Sequence, residues 1–133
     1  MDGPKVALCI LLGCGAAALG EEYAEYTAAM KANGSAYGAL RKLDAKTGPE
    51  AVANAEKLGG VYENLIAFWR QRGAADAVKW AEQGKAAALQ LATAAHAGES
   101  ANAAAAFETL GGTCRGCHEK HREKLPDGGF RIK

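Results

Sequence analysis

The sequence predicts an all-α protein built as an antiparallel up-down-up-down four-helix bundle, and three observations predict it. Much of the 49% hydrophobic content is Ala, and only 3 of 133 residues are Pro, a composition that favours helix. Apolar residues recur at intervals of three and four along four successive stretches, which is the period of a helix with one covered face. Short connectors carrying Gly, Pro or Ser divide those stretches, and short links make consecutive helices antiparallel neighbours. The length suits a single domain, taken as residues 21–133. Lys and Arg total 16 against 15 Asp and Glu, interspersed along the chain, so no nucleic-acid-binding groove is expected.

Residues 1–20 stand apart from this pattern. After Lys5 the chain runs uncharged to Gly20 and ends in small residues. The run is short for a bilayer span and has the length of a secretory signal. Asp2 offsets Lys5, so the leading segment is only weakly basic. Cleavage after Ala18 or Gly20 would remove Cys9 and Cys14, leaving two of the four cysteines. A second reading is open: Leu11-Leu12-Gly13-Cys14 is similar to a bacterial lipobox, which would make Cys14 an acylated amino terminus and the protein a membrane-anchored lipoprotein facing the periplasm. Both readings imply export to the periplasm, and neither leaves a transmembrane span.

The first helix is expected over residues 21–43, with Tyr23, Tyr26, Met30, Gly34, Tyr37, Leu40 and Leu43 on one stripe. Gly34 costs that helix about 1 kcal/mol relative to Ala. Either something bulky approaches the backbone there, or packing tolerates the glycine. Residues 44–49 form a connector, with Thr47 as N-cap and Pro49 in the first turn. The second helix runs to about Arg72 along Ala51, Ala55, Leu58, Tyr62, Leu65 and Trp69, and Gly73 closes it. The third spans residues 74–97, with Ala77, Trp80, Gly84, Ala87, Leu91 and Ala94 on the stripe and Val78, Leu89 and Ala92 beside it. Gly98 and Ser100 then supply a left-handed stop and a cap. The fourth carries Phe107, Leu110, Cys114, Cys117, His118, His121 and Leu125, and stops at residues 126–129.

Within that fourth helix, Cys114-Arg115-Gly116-Cys117-His118 has the C-x-x-C-H spacing of covalent c-type haem attachment. On a helix the two sulfurs and the imidazole leave from one face within a turn. Two thioethers and a proximal iron ligand then hold one haem at three points. A zinc site would want ligand pairs separated by a loop, whereas Cys114, Cys117, His118 and His121 are crowded together. A thioredoxin-like pair would sit beside a βαβ pattern, which is not seen. Chance occurrence in an Ala-rich helix is the remaining alternative. The Ala and Gly faces bury little area, so a haem between the helices is expected to supply missing volume, with the apoprotein loose and the holoprotein stable.

Four helices with C-x-x-C-H near the carboxyl end resemble the cytochrome c′ family, the class II c-type cytochromes. Residues 110–122 are similar to its G-x-x-C-x-x-C-H-x-x-F/Y-R segment, and Ala29-Met30-Lys31-Ala32-Asn33-Gly34 resembles the first-helix segment of its six-coordinate, low-spin members. The resemblance implies thioethers at Cys114 and Cys117, His118 as proximal ligand, Met30 as distal ligand, and Arg122 near the porphyrin and its propionates. Tyr26, one turn before Met30, would line the same pocket. His121 departs from the family's Phe or Tyr and reads as a packed histidine. Trp69, Trp80 and Phe107 read as core or haem-packing aromatics.

With Met30 on iron, the protein is a periplasmic electron carrier and not an enzyme, its redox partners unnamed. With Met30 only packing, the haem is five-coordinate and binds nitric oxide or carbon monoxide. The resemblance also implies a possible homodimer through the first two helices, with Tyr37, Tyr62 or surface Ala at the contact.

Overall fold

The structure is a computed structural model that describes the backbone of residues 6–133 and the side chains of residues 23–133. Helices α1 (Val6–Lys42), α2 (Pro49–Gln71), α3 (Ala75–Ala97) and α4 (Ser100–His121) are followed by strands β1 (Arg122–Lys124) and β2 (Phe130–Ile132). α1 packs on α2, α2 on α3 and α3 on α4, forming the four-helix bundle, while the seam between α1 and α4 is the slightest. α1 starts before the expected residue 21, because the Ala and Leu run ahead of it carries helix propensity of its own. The signal segment expected over residues 1–20, with Cys14 as its alternative acylation site, lies outside the residues described with side chains. No helix among the described residues is long and apolar enough to cross a membrane.

Each helix contributes one fully buried leucine, namely Leu40, Leu58, Leu91 and Leu110. Burying such a side chain stabilises the fold by about 1.5–3 kcal/mol before chain entropy is counted. Between α2 and α3 the packing is bulk against backbone. Leu58, Tyr62, Leu65 and Trp69 are buried on α2, whereas α3 buries Leu91 among Ala77, Ala81, Gly84 and further alanines. A Cβ on Gly84 would fall 2.4 Å from Tyr62 Cε1, so only glycine lets that ring lie on α3. Much of the small face of α3 is therefore matched by large residues on α2, while Trp80 and Ala81 line a cavity. Leu89 was expected beside the core, yet it is 49% exposed, because it falls on the outer edge of α3. Tyr62, expected as a dimer contact, is 5% exposed and belongs to the core.

The helix ends follow the backbone more than the side chains. Gly48 (φ 90), and not Thr47, is the N-cap of α2, with Pro49 behind it; the Gly48 amide donates to the Ala95 carbonyl at 3.2 Å. Gly73 and Gly98 take the left-handed conformation as expected. Glu99 is the N-cap of α4, so Ser100 is its first residue and not its cap. α4 stops at His121 and not near Leu125. Arg122 is already extended (φ −128, ψ 130), and β1 turns through Gly128 to pair antiparallel with β2, Arg122 opposite Ile132 and Lys124 opposite Phe130. Asp127 Oδ1 accepts from the Gly129 amide at 2.8 Å and steadies that turn.

The predicted stripe of α1 resolves into two faces. Ala36 and Leu40 enter the core, and Asn33 is buried beside them. Tyr26, Met30, Gly34 and Tyr37 instead line a cavity. At one end α1 closes on α4, where Tyr37 stacks on Phe107 with ring centroids 4.7 Å apart and planes 14° apart. Tyr37 Oη also fills the space above Gly111, 2.7 Å from where a Cβ would be.

Candidate functional site

That cavity has a volume of about 1100 Å³ and opens between α1 and α4, with α2, α3 and the terminal strands completing its walls. It exceeds the usual range of small-molecule pockets, roughly 300–1,000 Å³. Tyr26, Met30, Cys114, Cys117, His118 and Arg122 all line it. The structure thus brings every sequence-predicted site residue to one place, four from the carboxyl-terminal segment and two from α1.

The thiols of Cys114 and Cys117 are free and half-buried on α4. Tyr62 Oη lies 3.5 Å from Cys114 Sγ, and Asn33 and Thr113 also reach that hydroxyl. Burial, with the Cys114 thiol second, holds Tyr62 well above the ordinary phenol range. Burial also pushes the Cys117 thiol up to about 11, helped by the negative charge of Asp76. Before haem attachment, that favours the protonated thiol of Cys117. The residue between the cysteines has a packing reason: a Cβ on Gly116 would fall 2.6 Å from Trp80 Cζ2, so the indole of α3 rests on the backbone of the motif.

His118 is half-buried, and desolvation followed by the charge of Arg122 lowers its pKa below the usual histidine value. The ring is thus neutral near pH 7, the form that ligates metals. Arg122 Nη1 lies 3.4 Å from His118 Nδ1, which places the guanidinium charge beside the ring. Arg122 keeps this place although it leaves the helix, one residue past the point where α4 ends. On the opposite wall Tyr26 packs on Phe68 at 4.5 Å and edge-on to Trp69 at 5.7 Å. Burial lifts its hydroxyl to about 12, with Cys117 adding and Arg122 and Arg72 opposing.

His121 has a different task. Its Nε2 contacts Asp76 Oδ2 at 2.9 Å, its Nδ1 contacts the Lys133 carbonyl at 3.1 Å, and its ring packs on Trp69 at 4.7 Å. Both ring nitrogens are engaged, so His121 ties α4 to α3 and to Lys133, one residue past β2, as a packed histidine.

These residues fit a covalently held haem on their own chemistry. Two cysteine sulfurs and an imidazole share one helix face, facing an apolar and aromatic chamber. Gly34 adds a cradle, since a Cβ there would meet no atom within 4 Å. Sequence reasoning missed Tyr62, Gly116, Asn33 and Thr113 as supports of the motif, and Phe130, Arg131 and Ile132 as cavity walls. The only trace of the first two was a glycine recurring on each facing helix.

A four-helix bundle with two cysteines and a histidine presented to an interhelical chamber defines a c-type haem protein of the bundle class. The comparisons with known proteins agree. The model of the family described as Cytochrome C′ matches residues 15–122. The cytochrome c′ of Pararhodospirillum photometricum is 38% identical over 122 aligned residues, which cover 77% of this chain and 98% of that protein. No solved structure matches the chain. The chain belongs to the cytochrome c′ family, and its cofactor is haem c, attached through Cys114 and Cys117.

Proposed function

We propose that this protein is an exported electron carrier in which His118 and Met30 would both hold the iron of its haem. The observation that carries the reading is that Met30 of α1 and His118 of α4 line the same cavity from facing helices. Such ligation raises the reduction potential and fills the position a diatomic gas would need. The protein's own residues do the rest. Cys114 and Cys117 anchor the group, Tyr26, Trp69 and Trp80 exclude water from it, and Arg122 supplies positive charge beside the proximal imidazole. Residues 1–20 direct the chain to the periplasm in this reading, where redox partner proteins deliver and remove the electron. A homodimer through the outer faces of α1 and α2 is its assembled form.

The absorption spectrum of the reduced holoprotein, with and without carbon monoxide, tests the ligation. A sharp low-spin spectrum that the gas leaves unchanged is expected, and Met30→Ala should convert it to one that responds. A wild-type spectrum that is high-spin and carbon-monoxide-sensitive would replace electron transfer by gas binding at an open distal site.

A further inference from the structure

The match to the family ends at residue 122, yet the cavity wall continues past it. Phe130, Arg131 and Ile132 of β2 all line the chamber that holds the haem motif. The hairpin that carries them is fastened on several sides. The Lys133 amide donates to the His121 carbonyl at 3.0 Å, and His121 Nδ1 lies 3.1 Å from the Lys133 carbonyl. Arg131 Nε donates to Glu123 Oε2 at 2.6 Å across the two strands. His121 in turn is held by Asp76 and Trp69. This short ribbon is thus registered against α4 by its backbone, and against α2 and α3 through one imidazole.

One contact on it needs a functional reason. Phe130 is 52% exposed, so burial of apolar area does not explain its place. Its ring instead lies under the Arg122 guanidinium, with Cζ 3.5 Å from the ring centroid. That is well inside the range of a cation–π contact, which favours arginine because the planar guanidinium stacks on the ring. The same guanidinium places Nη1 3.4 Å from His118 Nδ1. Arg122 has no carboxylate partner among the ion pairs of the described residues. It is an extended residue at the end of α4, with a long side chain that would otherwise sample many rotamers.

We propose that Phe130 is a positioning residue for the haem site: its ring holds the Arg122 guanidinium against the proximal imidazole. The terminal hairpin exists, in this account, to present that ring. The proposal rests on His118 being the iron ligand. It is independent of whether Met30 ligates, since every readout below is a difference from wild type in whichever spin state that protein has.

The experiment compares holoprotein of wild type, Arg122→Gln, Phe130→Leu, Phe130→Tyr and the double variant Arg122→Gln/Phe130→Leu. Two quantities are read: the reduction potential, by spectroelectrochemical titration, and the hyperfine-shifted haem methyl resonances of the ferric protein. Removing a cation beside the iron's ligand should lower the potential in Arg122→Gln and displace the methyl resonances. Phe130→Leu should move both in the same direction by about half as much or more, while Phe130→Tyr, which keeps the ring, stays at wild type. The double variant should match Arg122→Gln alone, because the two residues act as one unit. Because Phe130 is half exposed, Phe130→Leu should fold, and its helical circular dichroism checks that it has. Phe130→Leu at wild-type values, equal effects from Leu and Tyr, additive single effects, or no shift in Arg122→Gln would each overturn the assignment. Spectra showing that His118 does not ligate in wild type would overturn the proposed function itself, and are read separately from these differences.

Discussion

The packing of Tyr62 on Gly84 sets up a test of the fold beside the haem motif. In Gly84→Ala the new methyl falls 2.4, 2.6 and 2.9 Å from Tyr62 Cε1, Cζ and Cδ1, against an optimum of about 3.5–4.0 Å for carbon pairs. The ring would have to move by about 1 Å to restore that spacing. It has little freedom to do so, being 5% exposed with its hydroxyl 3.5 Å from Cys114 Sγ. Overpacking of this kind costs about 1–3 kcal/mol, while replacing a mid-helix glycine by alanine returns about 1 kcal/mol. The net expectation is a loss of about 0–2 kcal/mol. Gly60→Ala provides the reference, since its added methyl on α2 would meet nothing within 4 Å and should stabilise by about 1 kcal/mol. Subtracting the two removes the shared helix contribution and isolates the clash at about 1–3 kcal/mol. Urea unfolding of the holoproteins, followed by helical circular dichroism, measures the difference. In a Tyr62→Ala background Gly84→Ala should turn stabilising, because the ring it strikes is gone. Equal stability of Gly84→Ala and Gly60→Ala in the wild-type background would refute the packing.

Gly34→Ala should raise apoprotein stability by about 1 kcal/mol in the same assay, because its methyl meets no atom; Gly34→Phe should lower haem content, and full haem incorporation would show that the position does not face the cofactor. In the apoprotein, Cys117 has its thiol pushed to about 11 from the ordinary 9.0 by burial, so its thiolate fraction near neutral pH is reduced roughly a hundredfold. Iodoacetamide should label it about that much more slowly than a free thiol peptide, and a peptide-like rate would contradict the burial. The Asp76 carboxyl is held below its usual value of 3.8, chiefly by its hydrogen bond to His121. Its contribution is therefore complete above the unfolded value and is lost as pH falls through the lower folded one. Asp76→Asn should lower the urea midpoint near neutral pH and show a flatter decline below about pH 4 than wild type; parallel pH curves would remove Asp76 from the account.

What the sequence made legible was what is local. The C-x-x-C-H spacing puts three reactive side chains on one helix face whatever the rest of the chain does, and the structure places Cys114, Cys117 and His118 there. Pro49, Gly73 and Gly98 marked helix ends because their φ angles are constrained or permitted by their own chemistry. The hairpin was not legible: β1 and β2 are three residues each, too short for an alternating pattern, and four of their six residues are charged. The contacts Tyr62 to Gly84 and Trp80 to Gly116 join distant positions, and no spacing rule links them. The stripe of α1 was read as one buried face, whereas Tyr23 is 41% exposed and only Leu40 of the stripe is fully buried. Periodicity cannot say what covers it, and so Leu40 in the core and Met30 on the cavity looked alike.

That division of α1 bears on why the bundle keeps a site at all. α2 and α3 satisfy one another, large rings against small residues, and α4 adds Ala103, Ala106 and Leu110 to the same core. α1 gives that core chiefly Ala36 and Leu40. Its aromatic and methionine face is turned instead toward the carboxyl half of α4, across the chamber. Among the helix pairs that line the bundle, this seam has the least packing of protein on protein. A cofactor bonded to α4 and contacted by α1, as proposed, would add at that one seam the apolar contact that the other three pairs make with side chains. The α1 residues facing it are therefore freed from packing against protein. In the proposed function, that freedom would let positions such as Met30 and Gly34 be chosen for what they do to the haem.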